Sequence, residues 1–369
     1  MNGRYGRSPT TPVGSDSGPN SLFDSSPGRP PVPEPRPSPE ASPEPGPEPR
    51  PEPAVDAPGK RRLPRVLAVL ALVLVVVIGM LGAALYLTVQ QLSSNITRVP
   101  DVFSALDPSE RPSPLDNRVS FVVMGTDSRT AAVQRSDDVL MLARVDVNLD
   151  PNNTAASVVS IPRDSWVDVP QHGPNRISAA YGYGGPSLLV KTVEQLTKAR
   201  IDHFAIIDFA GFQDMVNAVG GIDLGNNHLD GRAALDYVSF GPNAPGGYAD
   251  RLARQQNALR ALLDKAASSG LLADPIQLFR LLDALSHAIS VDETLSDGSL
   301  QELGLQMRGL RTSAVQFLAC PTTGLAQENG QTVVHVDEVR SAELWQALRA
   351  DTVAEYARRY PGSRLAGPR

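Results

Sequence analysis

Between Val66 and Val89 the chain reads VLAVLALVLVVVIGMLGAALYLTV, with no charged residue. About 20 consecutive apolar residues carry a helix across a hydrocarbon core roughly 30 Å thick, so this run fits a membrane span. A chain that contains it does not fold as one water-solvated body. Lys60, Arg61, Arg62 and Arg65 flank the N-terminal side of the run, and no Lys or Arg follows until Arg98. By the positive-inside rule the N-terminus stays in the cytoplasm and the C-terminal part is exported. A cleaved signal peptide is the alternative, but its apolar core runs about 7–15 residues and ends in a small-residue site. No clear Ala-x-Ala site follows here. The expectation is a retained single-pass anchor in the cell membrane, with the C-terminal domain extracytoplasmic.

The anchor divides the chain. Residues 1–59 hold runs such as PEPRPSPEASPEPGPEPRPEP and few large apolar side chains. Such a segment cannot bury enough apolar surface to offset its ordering entropy, so a disordered cytoplasmic tail is expected. Its PxxP repeats read as a solvated spacer or a docking sequence. Residues 60–90 are the basic flank and anchor, 91–115 a linker, 116–350 the extracytoplasmic domain and 351–369 a C-terminal tail. That domain is large enough for a full core. The chain has one cysteine, Cys320, which excludes an internal disulfide framework. Its five histidines are scattered without zinc spacing. A net charge of −6 gives no sign of a nucleic-acid partner.

Within the domain, VSFVVMG (119–125), DVLMLARVDV (138–147) and AASVVSIP (155–162) read as three strands. Short connections favour antiparallel neighbours, hence a meander. In a meander the end of the first strand, the start of the second and the end of the third share one edge. That edge receives GTDSR (Asp127, Arg129), RSDD (Arg135, Asp137, Asp138) and PRD (Arg163, Asp164). Downstream, NRISAAYGYGGP (175–186) reads as a Gly-rich loop, with Pro186 suited to the first turn of the helix after it. A strand at 201–209, a helix closed by Gly220-Gly221 and a helix over 251–268 follow. Arg251, Arg254 and Gln255 share one face of that last helix's first turn. A strand at 314–320 and a helix near AELWQALRAD complete the pattern. The expected fold class is α/β (α+β), a mixed central sheet flanked by helices.

Guanidinium forks match phosphate oxygens two at a time. Carboxylates such as Asp127 and Asp137 suit Mg²⁺, which takes one or two protein carboxylates plus phosphate oxygens and water. Together these residues suit a diphosphate ester. Ion pairs at loop ends, each contributing little, are the competing reading. Ser128 and Ser136 lack an adjacent His, which argues against a nucleophilic triad. His172 and His203 read as loop or core residues. Tyr181, Tyr183 and Trp166 line a lipid or sugar groove, or simply pack.

The motifs VVMGTDSR, RSDDVLML, SIPRDSWVDVP, NRISAAYGYGGP, VEQLTKARIDHFAIIDFAGFQDMVNAVGGIDL and RLARQQNAL, in this order over 119–264, resemble the LytR-CpsA-Psr family. The resemblance implies an enzyme outside the membrane of a Gram-positive-type cell. Such an enzyme transfers a phospho-glycopolymer from a polyprenyl-pyrophosphate carrier to a sugar hydroxyl of peptidoglycan, using Mg²⁺ or Mn²⁺. Asp127, Arg135, Asp137, Arg163 and Arg251 occupy matching family positions, with Arg254 and Gln255 in the adjoining helix motif. The implied roles are catalysis by Asp127, Asp137 and Arg163, and metal binding by Asp127 and Asp137. Pyrophosphate contact falls to Arg129, Arg135, Arg163, Arg251, Arg254 and Gln255, with Asp164 orienting Arg163. The family's strand motif Y-V-R-x-R is altered: Ser239 and Gly241 stand where arginines belong, and Tyr248 stands at an Asp position two residues from Asp250. The departures keep open a non-catalytic carrier-binding protein and a polyprenyl-pyrophosphate pyrophosphatase.

Overall fold

The computed structural model describes residues 91–114, 117–126, 139–146, 155–239, 247–268, 274–307 and 311–364. The apolar run and the Pro-rich tail lie outside the described residues, among which no helix is long and apolar enough to cross a membrane. The strands are β1 (Thr97–Val99), β2 (Arg118–Thr126), β3 (Val139–Asp146), β4 (Ala156–Ser160), β5 (Ser165–Val169), β6 (Gly173–Arg176), β7 (His203–Asp208), β8 (Ile222–Leu224), β9 (Asn227–Leu229), β10 (Ile289–Asp292), β11 (Val315–Ala319), β12 (Thr322–Glu328) and β13 (Gln331–Val336). The helices are α1 (Ile177–Thr197), α2 (Phe209–Ala218), α3 (Gly231–Ser239), α4 (Gly247–Ser268), α5 (Pro275–Ala288), α6 (Asp297–Met307), α7 (Glu338–Ala350) and α8 (Val353–Arg359).

The main sheet has the order β1-β10-β7-β2-β3-β4-β11. Its centre is the expected antiparallel meander, with Gly125 opposite Val139 and Met141 opposite Ser160. Parallel neighbours β7 and β11 flank it, so the sheet is mixed. Pleating sends alternate side chains to opposite faces. Val122, Leu142, Val159 and Phe204 point to one face, where Leu189 and Val193 of α1 and Leu344 and Leu348 of α7 cover them. Met141, Val145, Val158 and Phe317 point to the other, against Leu259 and Leu263 of α4. A smaller sheet, β12-β13-β5-β6, grows from the turn after β4.

Four expectations need correction. The stretch 175–186 is not a loop: α1 starts at Ile177 and breaks only at Gly184 and Gly185, the latter at φ 63°. The tight αL-side turn there suits glycine, and Pro186 begins the helix again. The segment holding Ser239 is not a strand but helix α3, which ends at that residue. Helix α4 starts at Gly247, one turn before expected, so Arg251 stands inside the helix and not at its N-terminus. Finally, the domain is wider than 116–350. Val102 and Leu106, from the expected linker, and Val353, Tyr356 and Ala357, from the expected tail, are buried in the main core. Each fully buried Val or Leu contributes about 1.5–3 kcal/mol, so these segments are structural parts of the domain.

Candidate functional site at the mouth of the meander

The site is built on the chain's exit from β4. Ile161 still donates its N–H to Leu140 O at 2.9 Å, but Pro162 has none to give and the ladder stops. Ser165 N then closes a turn on Pro162 O at 2.9 Å, with Arg163 and Asp164 at its apex. Two neighbouring elements fix that turn: Ser178 N of α1 donates to Arg163 O at 3.1 Å, and Val334 N of β13 donates to Asp164 O at 2.9 Å. Arg163 is 8% exposed. Its Nε lies 3.5 Å from Asp164 Oδ1, and Arg176 Nη1 lies 3.5 Å from the same oxygen. A guanidinium buried to this degree requires a carboxylate nearby, and Asp164 supplies one.

Arg163 opens on a narrow cleft lined by Met124, Thr126, Val139, Leu140, Ser178, Tyr181 and Leu189. Its volume is about 20 Å³, room for about one water molecule. Half of its lining residues are apolar, and Thr126, Arg163, Ser178 and Tyr181 are the polar ones. Thr126 ends β2 and Val139 begins β3, so the segment carrying Asp127, Arg129, Arg135, Asp137 and Asp138 leaves and returns at this cleft. Residues 127–138 themselves lie outside the described residues, as do Gly241 and the side chain of Tyr248. Among the described residues no group of three or more His, Cys, Asp or Glu side chains could hold a metal ion.

Helix α4 brings the remaining candidates. Arg251 is 4% exposed and Gln255 6%, both turned inward with Leu252. Gln256 is fully buried, and its Nε2 donates to Ser160 Oγ at 2.8 Å and to Leu318 O at 2.6 Å. That pair of bonds ties α4 to the ends of β4 and β11, three residues before Arg163. Arg254 Nη1 is 2.6 Å from Asp250 Oδ2. Asp250 thus serves as the i,i+4 partner of Arg254 in the first turn of α4, where its charge also suits the helix dipole.

The remaining aromatic and histidine candidates separate. Tyr181 lines the Arg163 cleft. Tyr183 is exposed, stacks on His172 with ring centroids 4.4 Å apart, and bonds Asn175 through its hydroxyl at 3.0 Å. Trp166 lines a different groove, with Trp345, of about 700 Å³. His203 packs in the sheet with Nδ1 3.1 Å from Asp292. Sequence reasoning passed over Arg176 and Gln256. An arginine in a supposed loop and one of two adjacent glutamines on a helix both resemble solvated residues.

The model of the LytR_cpsA_psr family matches residues 86–350. A Corynebacterium glutamicum protein named "Probable cell wall biosynthesis protein LcpB" is 33% identical over 234 residues, covering 59% of this chain and 54% of that protein. A Bacillus cereus protein named "Polyisoprenyl-teichoic acid--peptidoglycan teichoic acid transferase TagU" is 32% identical over 166 residues, covering 41% of this chain and 53% of that protein. The chain thus spans about half the length of these curated relatives. The crystal structure of Bacillus subtilis TagV superimposes with a TM-score of 0.52 at 24% identity, covering 64% of this chain and 98% of that one, which shows a shared fold.

Proposed function

Because the chain belongs to the LytR_cpsA_psr family, we propose that it transfers a phospho-glycopolymer from a polyprenyl-pyrophosphate carrier to a sugar hydroxyl of peptidoglycan. It does so from the outer face of a membrane that its N-terminal apolar run crosses once, in a Gram-positive-type envelope. The observation that carries this reading is Arg163. This nearly buried guanidinium is locked in a turn by two bonds from other elements and opens on a narrow cleft. A diphosphate supplies the anionic oxygens that a fixed guanidinium pairs with, while the cleft itself, with room for about one water molecule, does not hold a lipid tail. The name of the Bacillus cereus relative, a polyisoprenyl-teichoic acid–peptidoglycan teichoic acid transferase, agrees with it.

In the proposed step the acceptor hydroxyl oxygen attacks the phosphorus that bears the polymer. The new P–O bond forms as the P–O bond of the diphosphate bridge breaks, and polyprenyl monophosphate leaves with the electron pair. The hydroxyl proton passes to a carboxylate, for which Asp127 and Asp137 are the candidates. Arg163, Arg251 and Arg254, with Arg129, Arg135 and Gln255, hold the diphosphate and stabilise charge developing on the leaving oxygen. Asp164 sets the direction of the Arg163 fork. Mg²⁺ or Mn²⁺ at Asp127 and Asp137 would neutralise phosphate oxygens.

The test uses the full-length chain in detergent with a polyprenyl-pyrophosphate oligosaccharide, Mg²⁺ and peptidoglycan fragments. Transfer yields polymer-linked glycan and polyprenyl monophosphate in equal amounts. Free polymer phosphate with no glycan product would identify a hydrolase instead. Arg163→Ala is expected to lose roughly 10- to 100-fold in affinity, since a charge-assisted contact is worth about 1.5–3 kcal/mol. Unchanged affinity in that variant would remove the turn from the site.

The altered motif favours a second reading, a protein that holds the carrier without transferring the polymer. Ser239 is half-buried at the last position of α3 and offers no charge where the family motif implies an arginine. Ser239→Arg with Gly241→Arg separates the readings. Faster transfer by the double variant would mean that the parent site is weakened by those losses. Tight binding without turnover in both proteins would favour the carrier-holding role.

A further inference from the structure

Large exposed apolar side chains are few among the described residues, and three of them share one helix. Ile276 is 65% exposed, Phe279 41% and Leu282 40%, all on α5. The opposite side of this helix is committed to the core, where Leu278, Leu281 and Leu285 pack against Val216, Val219 and Ile222. Helix α5 is therefore apolar well beyond the stripe that its own domain buries.

The chain's path explains where that second stripe points. Residues 91–95 are helical. Asn95 Nδ2 lies 3.4 Å from Asp283 Oδ1 and 3.3 Å from Ser286 Oγ, both on α5. Ile96 then packs with Val291 and Leu295, and β1 pairs with β10, the strand that α5 runs into. The segment leading out of the apolar run is thus fastened to α5 at Asn95 and, through Ile96 and β1, to β10 and the turn that follow α5. Residues 276, 279, 283 and 286 are spaced i, i+3, i+7, i+10 and share one helix face. Asn95 therefore arrives on the very face that carries Ile276 and Phe279.

Chain length bounds the separation from the apolar run. Asn95 is six residues beyond Val89, about 9 Å at helical rise and no more than about 20 Å fully extended. Phe279 is one turn along α5 from Asp283, a further ~6 Å. The headgroup layer on each side of a bilayer's hydrocarbon core is about 5–7 Å thick. These chain lengths put the Ile276 and Phe279 face of α5 within reach of that layer.

We propose that the Ile276–Phe279–Leu282 face of α5 rests in the interfacial layer of the lipid bilayer beside the chain's own anchor, with the exposed Arg280 available to lipid phosphates. The inference rests on the reading of Val66–Val89 as a membrane span. A helix with an apolar face at headgroup depth lies in the interface without crossing it. Two attachments, anchor and α5, hold the domain at one height and tilt where one would leave it free to swing. That fixes the Arg163 cleft relative to a substrate whose tail is in the same bilayer.

The test uses the full-length chain reconstituted in phosphatidylcholine–phosphatidylglycerol vesicles. Phe279→Cys and, as a control, Val339→Cys each carry an environment-sensitive fluorophore; Val339 is 71% exposed on α7. The native Cys320 does not compete for label, being 2% exposed with burial pushing its thiol up to about 12. The expected result is a label at 279 that is blue-shifted, quenched by lipids spin-labelled near the headgroup, and several-fold less accessible to iodide than the label at 339. Equal iodide access at both positions in vesicle-bound protein overturns the proposal. So does a label at 279 shielded from iodide yet unquenched by lipid, because a protein partner or a second copy would then be covering the face. Failure of the anchor reading is separately visible, as protein released from the vesicles by alkaline carbonate.

Discussion

Helices α4 and α5 follow one another in the chain and depart from amphipathic patterning in opposite directions. A helix at the surface of a water-solvated domain turns its apolar stripe inward and its polar face outward. Helix α4 buries Arg251, Gln255, Gln256 and Asn257. Helix α5 exposes Ile276, Phe279 and Leu282. An inward polar group costs free energy unless something bonds it, and an outward apolar group costs little but gains nothing unless something covers it. The first departure therefore points to internal partners or an anionic ligand, and the second to an external apolar phase. Each anomaly names the kind of surroundings the helix was shaped for.

Gln256 gives the sharpest way to break the α4 half of that contrast. Its amide satisfies Ser160 Oγ and Leu318 O in a site without solvent. Gln256→Ala leaves both acceptors without that donor and opens a cavity, and is predicted to cost about 3 kcal/mol. At about 2–4 °C per kcal/mol for a domain of this size, the thermal midpoint should fall by roughly 6–12 °C. A shift near zero would mean that α4 is held by its apolar contacts alone, and that its buried amide carries no structural load.

Gly211 tests how firmly α5 is seated. A Cβ there would stand 2.4 Å from Ala288 Cα, because α2 crosses the end of α5 at backbone contact. Gly211→Ala must push the helices apart, at a predicted cost of about 1–3 kcal/mol in thermal or denaturant unfolding. Full stability in this variant would show that α5 shifts freely, which would weaken any argument from its position.

The next element, β10, is pinned by Asp292. Burial pushes its carboxyl up, but hydrogen bonds from His203, Thr294 and the Phe204 N–H prevail and hold it below the usual range. A carboxyl depressed on folding stabilises the protein above its unfolded value, about 3.9, and loses that contribution as pH falls through the folded value. Asp292→Asn is therefore predicted to be less stable than the parent at pH 6, with the gap closing below about pH 4. Unfolding curves at several pH values check this. A gap independent of pH would make the loss one of hydrogen-bond geometry and not of charge.

The meander was legible because three apolar runs lie close together with short polar connections, and Pro162 marks where the third must stop. Arg163 was legible for the same reason. What escaped the sequence lacked either signal. Strands β12 and β13 form a hairpin whose first strand is almost wholly exposed, so no apolar alternation announces it. The start of α4 is hidden because Gly247 resembles a loop residue and carries no side chain to cap a helix. Val102 and Leu106 sit among Pro, Ser and Asp and read as a linker, although long-range packing buries them. The mixed sheet order, with β10 inserted between β1 and β7, depends on pairings across most of the chain and has no local signature.

The smallest predicted effect is the most discriminating for α5. Exposed side chains that touch nothing contribute little to folding, and surface substitutions away from special features usually fall within about 0.5 kcal/mol. Leu282 is 40% exposed, between the core-facing row of Leu278 and Leu285 and the exposed Phe279. Leu282→Ser should therefore leave the stability of the detergent-solubilised chain within about 0.5 kcal/mol of the parent in chemical denaturation. Gln256→Ala, one helix earlier in the chain, should lower it by several times that. If Leu282→Ser were as costly as Gln256→Ala, Leu282 would be packed against the protein and α5 would be an ordinary core helix. A near-neutral result means the folded domain does not need that apolar face for itself, and the contrast between the two helices stands.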